Sequence, residues 1–247
     1  MAERDRPQGL HAGAEAPVSI TVFFPCYNEQ DNVKRVAAKA VEVLETIGAD
    51  FEVIIVNDGS ADKTGQVADS VAQADKRVRV VHHPQNRGYG AALQSGIRAA
   101  QKNYIFFTDG DGQFDIGEIQ LLIPFIEQSD VVCGYRLDRK DPFMRKLNGW
   151  LWTKLVCILF GMRIRDIDCA FKMFRREIFD GMKLSSTGAL INAEILARAT
   201  RRGCRIVEVG VHHYPRTAGK QTGANLKVIL RAFKELFKLY NRIRRGD

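Results

Sequence analysis

The sequence of 247 residues predicts an α/β fold, in which a mostly parallel sheet carries helices on its faces. Two observations lead to this class. In the first half of the chain, short runs rich in β-branched and aromatic residues alternate with longer stretches that have helical spacing. Clusters of polar residues and glycine then follow the ends of three of these runs. Strands joined through helices pair in parallel, because each crossover returns the chain to the same edge of the sheet.

The predicted elements follow one another in a simple order. Strands are predicted at 18–24, 51–57, 78–82, 104–108, 131–134, 169–174 and 205–211. Helices are predicted at 31–47, 62–74, 89–100, 145–159, 190–201 and 226–244. The alternation is strict up to residue 134 and weaker beyond it. We therefore expect one domain at 18–223, preceded by a disordered tail at 1–17 and followed by a basic amphipathic helix at 224–247.

The composition excludes several classes of protein. A hydrophobic fraction of 45% and a charged fraction of 27% are typical of a globular protein and exclude a disordered or fibrous chain. The five cysteines are scattered and form no CxxC pair, which indicates a reduced compartment and gives no zinc or redox motif. The most apolar stretch, 147–162, is interrupted by polar residues and is shorter than the roughly 20 residues that a membrane span needs.

Three polar clusters follow predicted strands, and ligands bind at that edge of an open parallel sheet. They are PCYNE at 25–29, NDGS at 57–60 and DGDGQ at 109–113. Turn formation and helix capping would explain any one of them. Their recurrence at one edge favours a binding site.

The third cluster has the pattern of a cation site. Asp109 and Asp111 are separated by Gly110, which lets the backbone turn sharply so that both carboxylates approach one hard cation, and Gln113 offers a further oxygen. A calcium-binding EF-hand loop needs glycine at its sixth position and glutamate at its twelfth, and this chain differs at both. A cation with few protein ligands keeps positions open for the oxygens of a diphosphate.

Taken together, the ordered motifs resemble those of glycosyltransferase family 2, which has the GT-A (Rossmann-like) fold. The motifs are PCYNE, VNDGS, NRGYGAAL, DGDGQFD, CGYR, DCAFKMF and YPRTAG, spread over 18–223. They are most similar to the polyprenyl-phosphate branch, which includes the dolichol-phosphate mannosyltransferases. The resemblance implies inverting transfer of a sugar from GDP-mannose, UDP-glucose or a similar donor to a polyprenyl or dolichyl phosphate. It also implies Mg²⁺ or Mn²⁺ as cofactor, and a nucleotide-binding first half fused to an acceptor-binding second half.

The same resemblance assigns roles to individual residues. It places Pro25, Tyr27, Glu29, Val56 and Asp58 around the base and ribose, with Asp109, Gly110, Asp111 and Gln113 at the metal and donor. It gives Asp111, Arg136, Arg145 and Arg216 to catalysis and phosphate binding. Guanidinium groups suit phosphate because they stay charged and form paired hydrogen bonds. The chain departs from the mannosyltransferases after Arg216, and Lys220 is the candidate replacement for their donor-binding lysine.

The acceptor decides whether a base is needed. A phosphate monoester is already anionic at neutral pH and needs only alignment, whereas a sugar hydroxyl needs a carboxylate base. Glu194 is the candidate base for that second hypothesis, against the alternative of a carboxylate on a helix surface. The pairs His82-His83 and His212-His213 lie at predicted strand ends and are interpreted as structural. A basic nucleic-acid-binding protein is disfavoured, because paired carboxylates repel phosphate unless a cation is bound.

The C-terminal segment predicts a peripheral position at the inner, cytosolic face of a membrane. From 227 to 245 there are seven basic residues and one acid. Apolar residues recur there at spacings of three and four: Leu226, Ile229, Leu230, Phe233, Phe237 and Tyr240. Together with Trp150 and Trp152, this predicts docking on an anionic membrane surface. A helix packed on the core with a solvated basic face is the open alternative, and recruitment by a membrane protein is also left open.

Overall fold

A seven-stranded sheet forms the centre of the protein and carries helices on both faces. The computed structural model describes residues 17–137, 143–215 and 226–245. The strands are β1 (Ser19–Cys26), β2 (Asp50–Asn57), β3 (Val78–His82), β4 (Tyr104–Thr108), β5 (Val131–Arg136), β6 (Phe171–Arg175) and β7 (Ile206–Val211). The helices are α1 (Val33–Ile47), α2 (Thr64–Ala74), α3 (Tyr89–Ala99), α4 (Ile123–Ile126), α5 (Phe143–Phe160), α6 (Ile191–Arg201) and α7 (Leu226–Arg245). Short 3-10 helices lie at Ile116–Leu121 and Arg176–Phe179.

The order of strands across the sheet is β3-β2-β1-β4-β6-β5-β7. The pairs β1–β2, β1–β4, β2–β3 and β5–β7 are parallel, which confirms the predicted mostly parallel sheet. The predicted strand and helix bounds hold to within two residues in nearly every element.

One strand runs against the others. β6 lies between β4 and β5 and is antiparallel to both. Its first residue, Phe171, is paired with Thr108, the last residue of β4. The segment that leads into β6 therefore reaches the same edge of the sheet as the loop that leaves β4. This reversal brings a second group of side chains to the predicted binding edge.

The two sheet faces bury separate apolar cores. Alternate residues of β1 point to opposite faces, so Phe23 enters one core while Val22 and Phe24 enter the other. On the first face Phe23 packs against Phe107 and against α3, where Gly96 lies so close that an added Cβ would be 2.4 Å from the Phe23 ring. That core also takes residues from α5, α6 and α7. α1 and the 3-10 helix Ile116–Leu121 cover the opposite face.

The last helix packs differently from the predicted stripe. Among its described side chains, Leu236, Leu239 and Ile243 are buried and join the first core. Phe233 and Phe237, which the sequence placed on the apolar stripe, are exposed. No helix within the described ranges combines the length and the apolar character that a bilayer crossing requires.

Candidate active site

The ends of β1, β2 and β4 converge as the sequence predicts. Cys26 is paired with Asn57 across the sheet, and the loop after β4 lies directly on the end of β1. A Cβ on Gly110 would lie 2.5 Å from the Cys26 sulfur and 3.2 Å from the Pro25 carbonyl oxygen. Only glycine allows this approach, so Gly110 sets the distance between the first and third polar clusters.

The loop after β1 is built around backbone hydrogen bonds to the loop after β2. The Asn28 amide donates to the Ser60 hydroxyl at 3.0 Å, and the Glu29 amide donates to the Thr64 hydroxyl at 2.8 Å. Glu29 is buried and accepts a hydrogen bond from Asn32 at 2.8 Å. Tyr27, by contrast, is 46% exposed. Of the residues predicted to surround the base, Tyr27 therefore presents its ring most openly.

Three residues predicted to line the base pocket are buried. Val56 is fully buried in the first core, and Pro25 is also buried. Asp58 is buried and its carboxylate accepts from the backbone amides of Arg87 and Gly88, both at 2.9 Å. The same carboxylate lies 2.6 Å from His83. Asp58 thus orders the loop before α3, and the role predicted for it at the nucleotide stays a prediction.

His83 continues this support, because its other ring nitrogen lies 2.9 Å from the Ser95 hydroxyl in α3. The neighbouring His82 contacts Asn57 and Asp69. Both histidines therefore take part in contacts within the fold.

Asp109 is the most perturbed group at the edge. Its Oδ1 is buried and has no hydrogen-bond partner among the described residues. Burial raises the pKa of Asp109 to about 7, and the negative charge of Asp111 adds to the effect, while Tyr89 and Lys172 oppose it. The Tyr89 hydroxyl lies beside this carboxylate, and Asn192 lies beside that hydroxyl. Two carboxylates, one of them desolvated, form a pocket of negative charge that a cation would stabilise.

The third predicted metal ligand has a different contact. Gln113 donates from its side-chain amide to the Tyr214 carbonyl at 3.0 Å, and its own carbonyl accepts from the Tyr214 amide at 2.8 Å. Its backbone amide donates to Asp111 at 3.0 Å. Gln113 therefore joins the loop after β4 to the segment after β7. These contacts do not use its side-chain oxygen, so its role as a metal ligand stays a prediction. In the described part of the chain, no cluster of three or more histidine, cysteine or acidic side chains is arranged for a metal.

Two cavities meet at Asp109. One, of about 400 Å³, lies between α1 and the loop after β4 and is lined by Arg35, Lys39 and Tyr214 among others. The other, of about 710 Å³, lies on the side of α3, α5, α6 and α7. Its wall is formed by Asn86, Arg87, Gly88, Tyr89, Asp109, Trp152, Asp168, Thr187, Gly188, Ala189, Leu190, Asn192 and Glu235. The larger cavity is the size of a small-molecule site.

The predicted phosphate-binding arginines are only partly placed. Arg136 forms a two-point ion pair with Asp166, at 2.7 and 2.8 Å, and is 14% exposed. Its guanidinium is thus paired with a carboxylate of the fold, and its role at a phosphate stays a prediction. Arg145 lies in α5, but its side chain is outside the described part of the structure, as are Arg216 and Lys220.

The segment before β6 contributes residues that the sequence did not single out. Lys172 is fully buried, and its ammonium donates to the carbonyls of Ile167 and Cys169. Asp168, between these two carbonyls, lines the larger cavity together with Asp109. The indicator in the sequence was DCAFKMF itself, but the direction of β6 was needed to place Asp168 near Asp109.

Glu194 is not on a helix surface. It is fully buried and accepts from the amides of Ser185, at 3.0 and 3.1 Å, and Ser186, at 2.7 Å. It also pairs with Arg198 at 3.0 Å. Burial on its own would raise its pKa, but the hydrogen bonds from Ser185 and Ser186 outweigh burial and lower the pKa. A carboxylate held in this way is a poor proton acceptor, so the structure argues against Glu194 as a base.

Known proteins resemble this chain in sequence over most of its length. The model of the family described as glycosyl transferase family 2 matches residues 21–182, well over half of the chain. The glycosyltransferase AglD of Haloferax volcanii is 31% identical over 215 residues, which are 83% of this chain. The chain spans about a third (34%) of the length of that relative.

Solved structures share the fold. Glucosyl-3-phosphoglycerate synthase from Mycobacterium tuberculosis, in complex with Mn²⁺, UDP-glucose and phosphoglyceric acid, superposes with a TM-score of 0.70 at 17% identity. That match covers 95% of this chain and 84% of the synthase. The complex of the same enzyme with Mg²⁺ and UDP gives a TM-score of 0.67 at 16% identity, over 90% and 78% of the two chains. The fold is therefore the GT-A fold that the motifs implied, and the chain belongs to glycosyltransferase family 2.

Proposed function

We propose that this glycosyltransferase moves a sugar, with inversion, from a nucleoside-diphosphate sugar of the GDP-mannose or UDP-glucose type to a polyprenyl or dolichyl phosphate. The observation that carries the proposal is the buried, unpartnered Oδ1 of Asp109, next to Asp111 and between two cavities. A buried polar atom without a partner within the described residues is unfavourable unless a ligand completes it. A cation and a diphosphate would complete it.

Asp109 and Asp111 suit Mg²⁺ or Mn²⁺, which prefer oxygen ligands. When bound, such a cation would stabilise the negative charge that develops on the departing diphosphate. Diphosphate oxygens would supply the remaining ligands, because the described residues provide a pair of carboxylates and no larger cluster. Complexes of the structurally similar synthase with UDP contain Mn²⁺ or Mg²⁺, which supports this assignment.

The chain's own residues would orient the donor. Tyr27 offers an exposed ring at the end of β1, where a base could stack. Gly110 lets the cation loop lie against β1, so that diphosphate and nucleoside can bind at adjoining places. Asp58 fixes the backbone of Arg87 and Gly88, which begins the wall of the larger cavity.

The larger cavity is suited to an acceptor. Asp109 forms one part of its wall, so an acceptor bound there would lie beside the reacting sugar. Arg87 brings a cation to the wall and Trp152 an apolar surface, which together fit a phosphate attached to a hydrocarbon. A phosphate acceptor needs no base, in keeping with a buried and hydrogen-bonded Glu194. The similar synthase has been crystallised with phosphoglyceric acid, also a phosphorylated acceptor.

A hydroxyl acceptor is the second candidate, and one observation favours it. Asp168 is exposed at the wall of the larger cavity, on the same side as Asp109. A carboxylate in that position could accept the proton of a hydroxyl as it attacks the sugar. Asp168, and not Glu194, would then be the base.

A lipid-linked acceptor would hold the enzyme at the cytosolic face of a membrane as a peripheral protein. Recruitment by a membrane protein would serve the same purpose. Neither arrangement requires a nucleic acid, and the carboxylate pair disfavours one.

The test is direct transfer with radiolabelled UDP-glucose and GDP-mannose, Mn²⁺ and a detergent-dispersed polyprenyl phosphate, followed by organic extraction. We expect label in the organic phase, and none when polyprenol without phosphate replaces the acceptor. Asp168→Asn should retain most of this transfer. Equal labelling of polyprenol would replace the phosphate acceptor by a hydroxyl acceptor. Loss of transfer in Asp168→Asn would contradict the proposal that the acceptor needs no base. Turnover that is unchanged after chelation of divalent metal would show that the reaction needs no cation.

A further inference from the structure

The helix α5 is apolar on two opposite sides. Its inner side buries Val156 and Cys157 in the first core. On its outer side Met144, Leu151 and Ile158 are 61%, 50% and 78% exposed. These three residues are seven positions apart, just under two helical turns, so they form a stripe about 21 Å long.

The helix α7 lies beside α5 and widens this stripe. The Trp152 ring contacts Phe233 edge to face at 5.6 Å between ring centroids, and Phe160 contacts Tyr240 at 5.9 Å. Phe237, one turn beyond Phe233, is 55% exposed. We call the exposed apolar residues of the two helices the α5–α7 face: Met144, Trp150, Leu151, Ile158, Phe233 and Phe237.

Such a face needs an occupant. Helices that are apolar all round are ordinarily buried, and a continuous exposed apolar patch marks an interaction site. The charge around the α5–α7 face indicates which occupant. The segment 143–160 contains three basic residues and no acid, and 226–245 contains seven basic residues and one acid. Lys154, Lys238, Arg242, Arg244 and Arg245 are exposed. Their positive charge complements an anionic surface.

We propose that the α5–α7 face docks on an anionic lipid surface, with both helices lying along that surface. Trp150 favours this occupant, because tryptophan concentrates at the boundary between lipid and water, and its ring already carries the Lys154 ammonium at 5.8 Å. An amphipathic pair with a basic border inserts its apolar side chains at the level of the headgroups without crossing the bilayer. Each basic residue near such a surface strengthens binding about fivefold.

The position of this face relative to the cavity gives the docking a purpose, which rests on the proposed function. Trp152 of α5 and Glu235 of α7 both line the larger cavity. The two helices therefore form part of the wall of the larger cavity with one side and the lipid contact with the other. A lipid-linked phosphate would travel a short distance from the bilayer to the cavity.

The test is flotation of the full chain with vesicles of phosphatidylcholine and 30% phosphatidylglycerol at low salt. We expect binding to these vesicles, at least about tenfold weaker binding to phosphatidylcholine alone, and release at high salt. The double variant Leu151→Glu/Ile158→Glu should lose at least about tenfold in binding. Its matched control is Leu121→Glu/Phe125→Glu. It changes two exposed apolar residues, both 45% exposed, in elements that cover the opposite face of the sheet.

Several results would overturn the docking. One is a wild-type chain that stays with the soluble fraction at low salt, and another is an equal loss in both double variants. A third is a wild-type dimer in gel filtration that becomes a monomer in Leu151→Glu/Ile158→Glu, which would assign the face to a second copy of the chain. Flotation involves no donor or acceptor, so flotation without transfer contradicts only the proposed function, and transfer without flotation contradicts only the docking.

Discussion

Replacing Glu194 by glutamine should destabilise the protein while leaving its chemistry intact. The buried carboxylate accepts hydrogen bonds from Ser185 and Ser186 and pairs with Arg198, which is itself only 11% exposed. Removing one partner of a buried ion pair costs about 3–5 kcal/mol, because the other charge stays buried. Glutamine keeps one acceptor oxygen, so we expect a loss of about 3 kcal/mol. For a chain of this length that corresponds to a fall in Tm of about 6–12 °C.

The difference in stability between wild type and Glu194→Gln should depend on pH. The pKa of Glu194 in the folded protein lies below its ordinary value of 4.5, because its hydrogen bonds outweigh burial. Its stabilisation is therefore fully present above pH 4.5 and is lost as the pH falls through the lowered value. The gap in Tm between wild type and Glu194→Gln should accordingly narrow in acid.

Thermal unfolding and turnover per folded molecule at 25 °C provide the assay. Glu42→Gln is the matched control, since Glu42 forms an exposed pair with Lys39 whose loss should change stability by less than about 1 kcal/mol. A Glu194→Gln protein with wild-type Tm and no transferase activity would refute the reasoning. That outcome would restore Glu194 as a catalytic base.

Three further predictions concern the site and its frame. Asp111→Asn should lower turnover at least about a hundredfold without lowering the metal-free Tm, since it removes a repulsive charge; near-normal turnover would exclude it as a ligand. Gly90→Ala should destabilise by about 1–3 kcal/mol in urea titration, because its Cβ would lie 2.4 Å from a backbone oxygen, whereas Gly188→Ala, with nothing within 4 Å, should not. Arg136→Ala should lose about 3–5 kcal/mol, most of it recovered in Arg136→Ala/Asp166→Asn; an additive double variant would contradict the ion pair.

Much of the donor side could be predicted from local pattern. The runs before the three polar clusters are short and β-branched, and parallel strands bring their carboxyl ends to one edge, so Pro25, Asn57 and Asp109 had to converge. The spacing of Asp109 and Asp111 then indicated a cation. Local pattern could not show which of these side chains form hydrogen bonds within the fold. Asp58 is an example, since its partners come from the loop before α3.

The acceptor side was harder to predict because it depends on contacts between distant segments. A five-residue apolar strand such as β6 has the same pattern in either direction, so the reversal that carries Asp168 to the site could not be read from periodicity. For Glu194 the sequence offered a base or a surface carboxylate and not a buried ion pair, because a charge in a helix is ordinarily solvated. Arg198, one turn further on, was the indicator of a buried pair.

Because β6 is reversed, the segment between β5 and β6 leaves the sheet and returns to it at two neighbouring strands. The chain leaves the sheet at the end of β5, passes through α5, and returns in β6, which is hydrogen-bonded to β5. Because the excursion starts and finishes on neighbouring paired strands, its length does not affect how the remaining strands align. The buried Lys172 ammonium donates to the Ile167 carbonyl and so holds the loop before β6 against the sheet. The stretch between Arg136 and Phe171 is thus attached to the sheet at both ends, through β5 and through β6. We expect exchange of this stretch between relatives to change the larger cavity, which Trp152 and Asp168 line, and to leave the pairing of β1 with β2 and β4 unchanged.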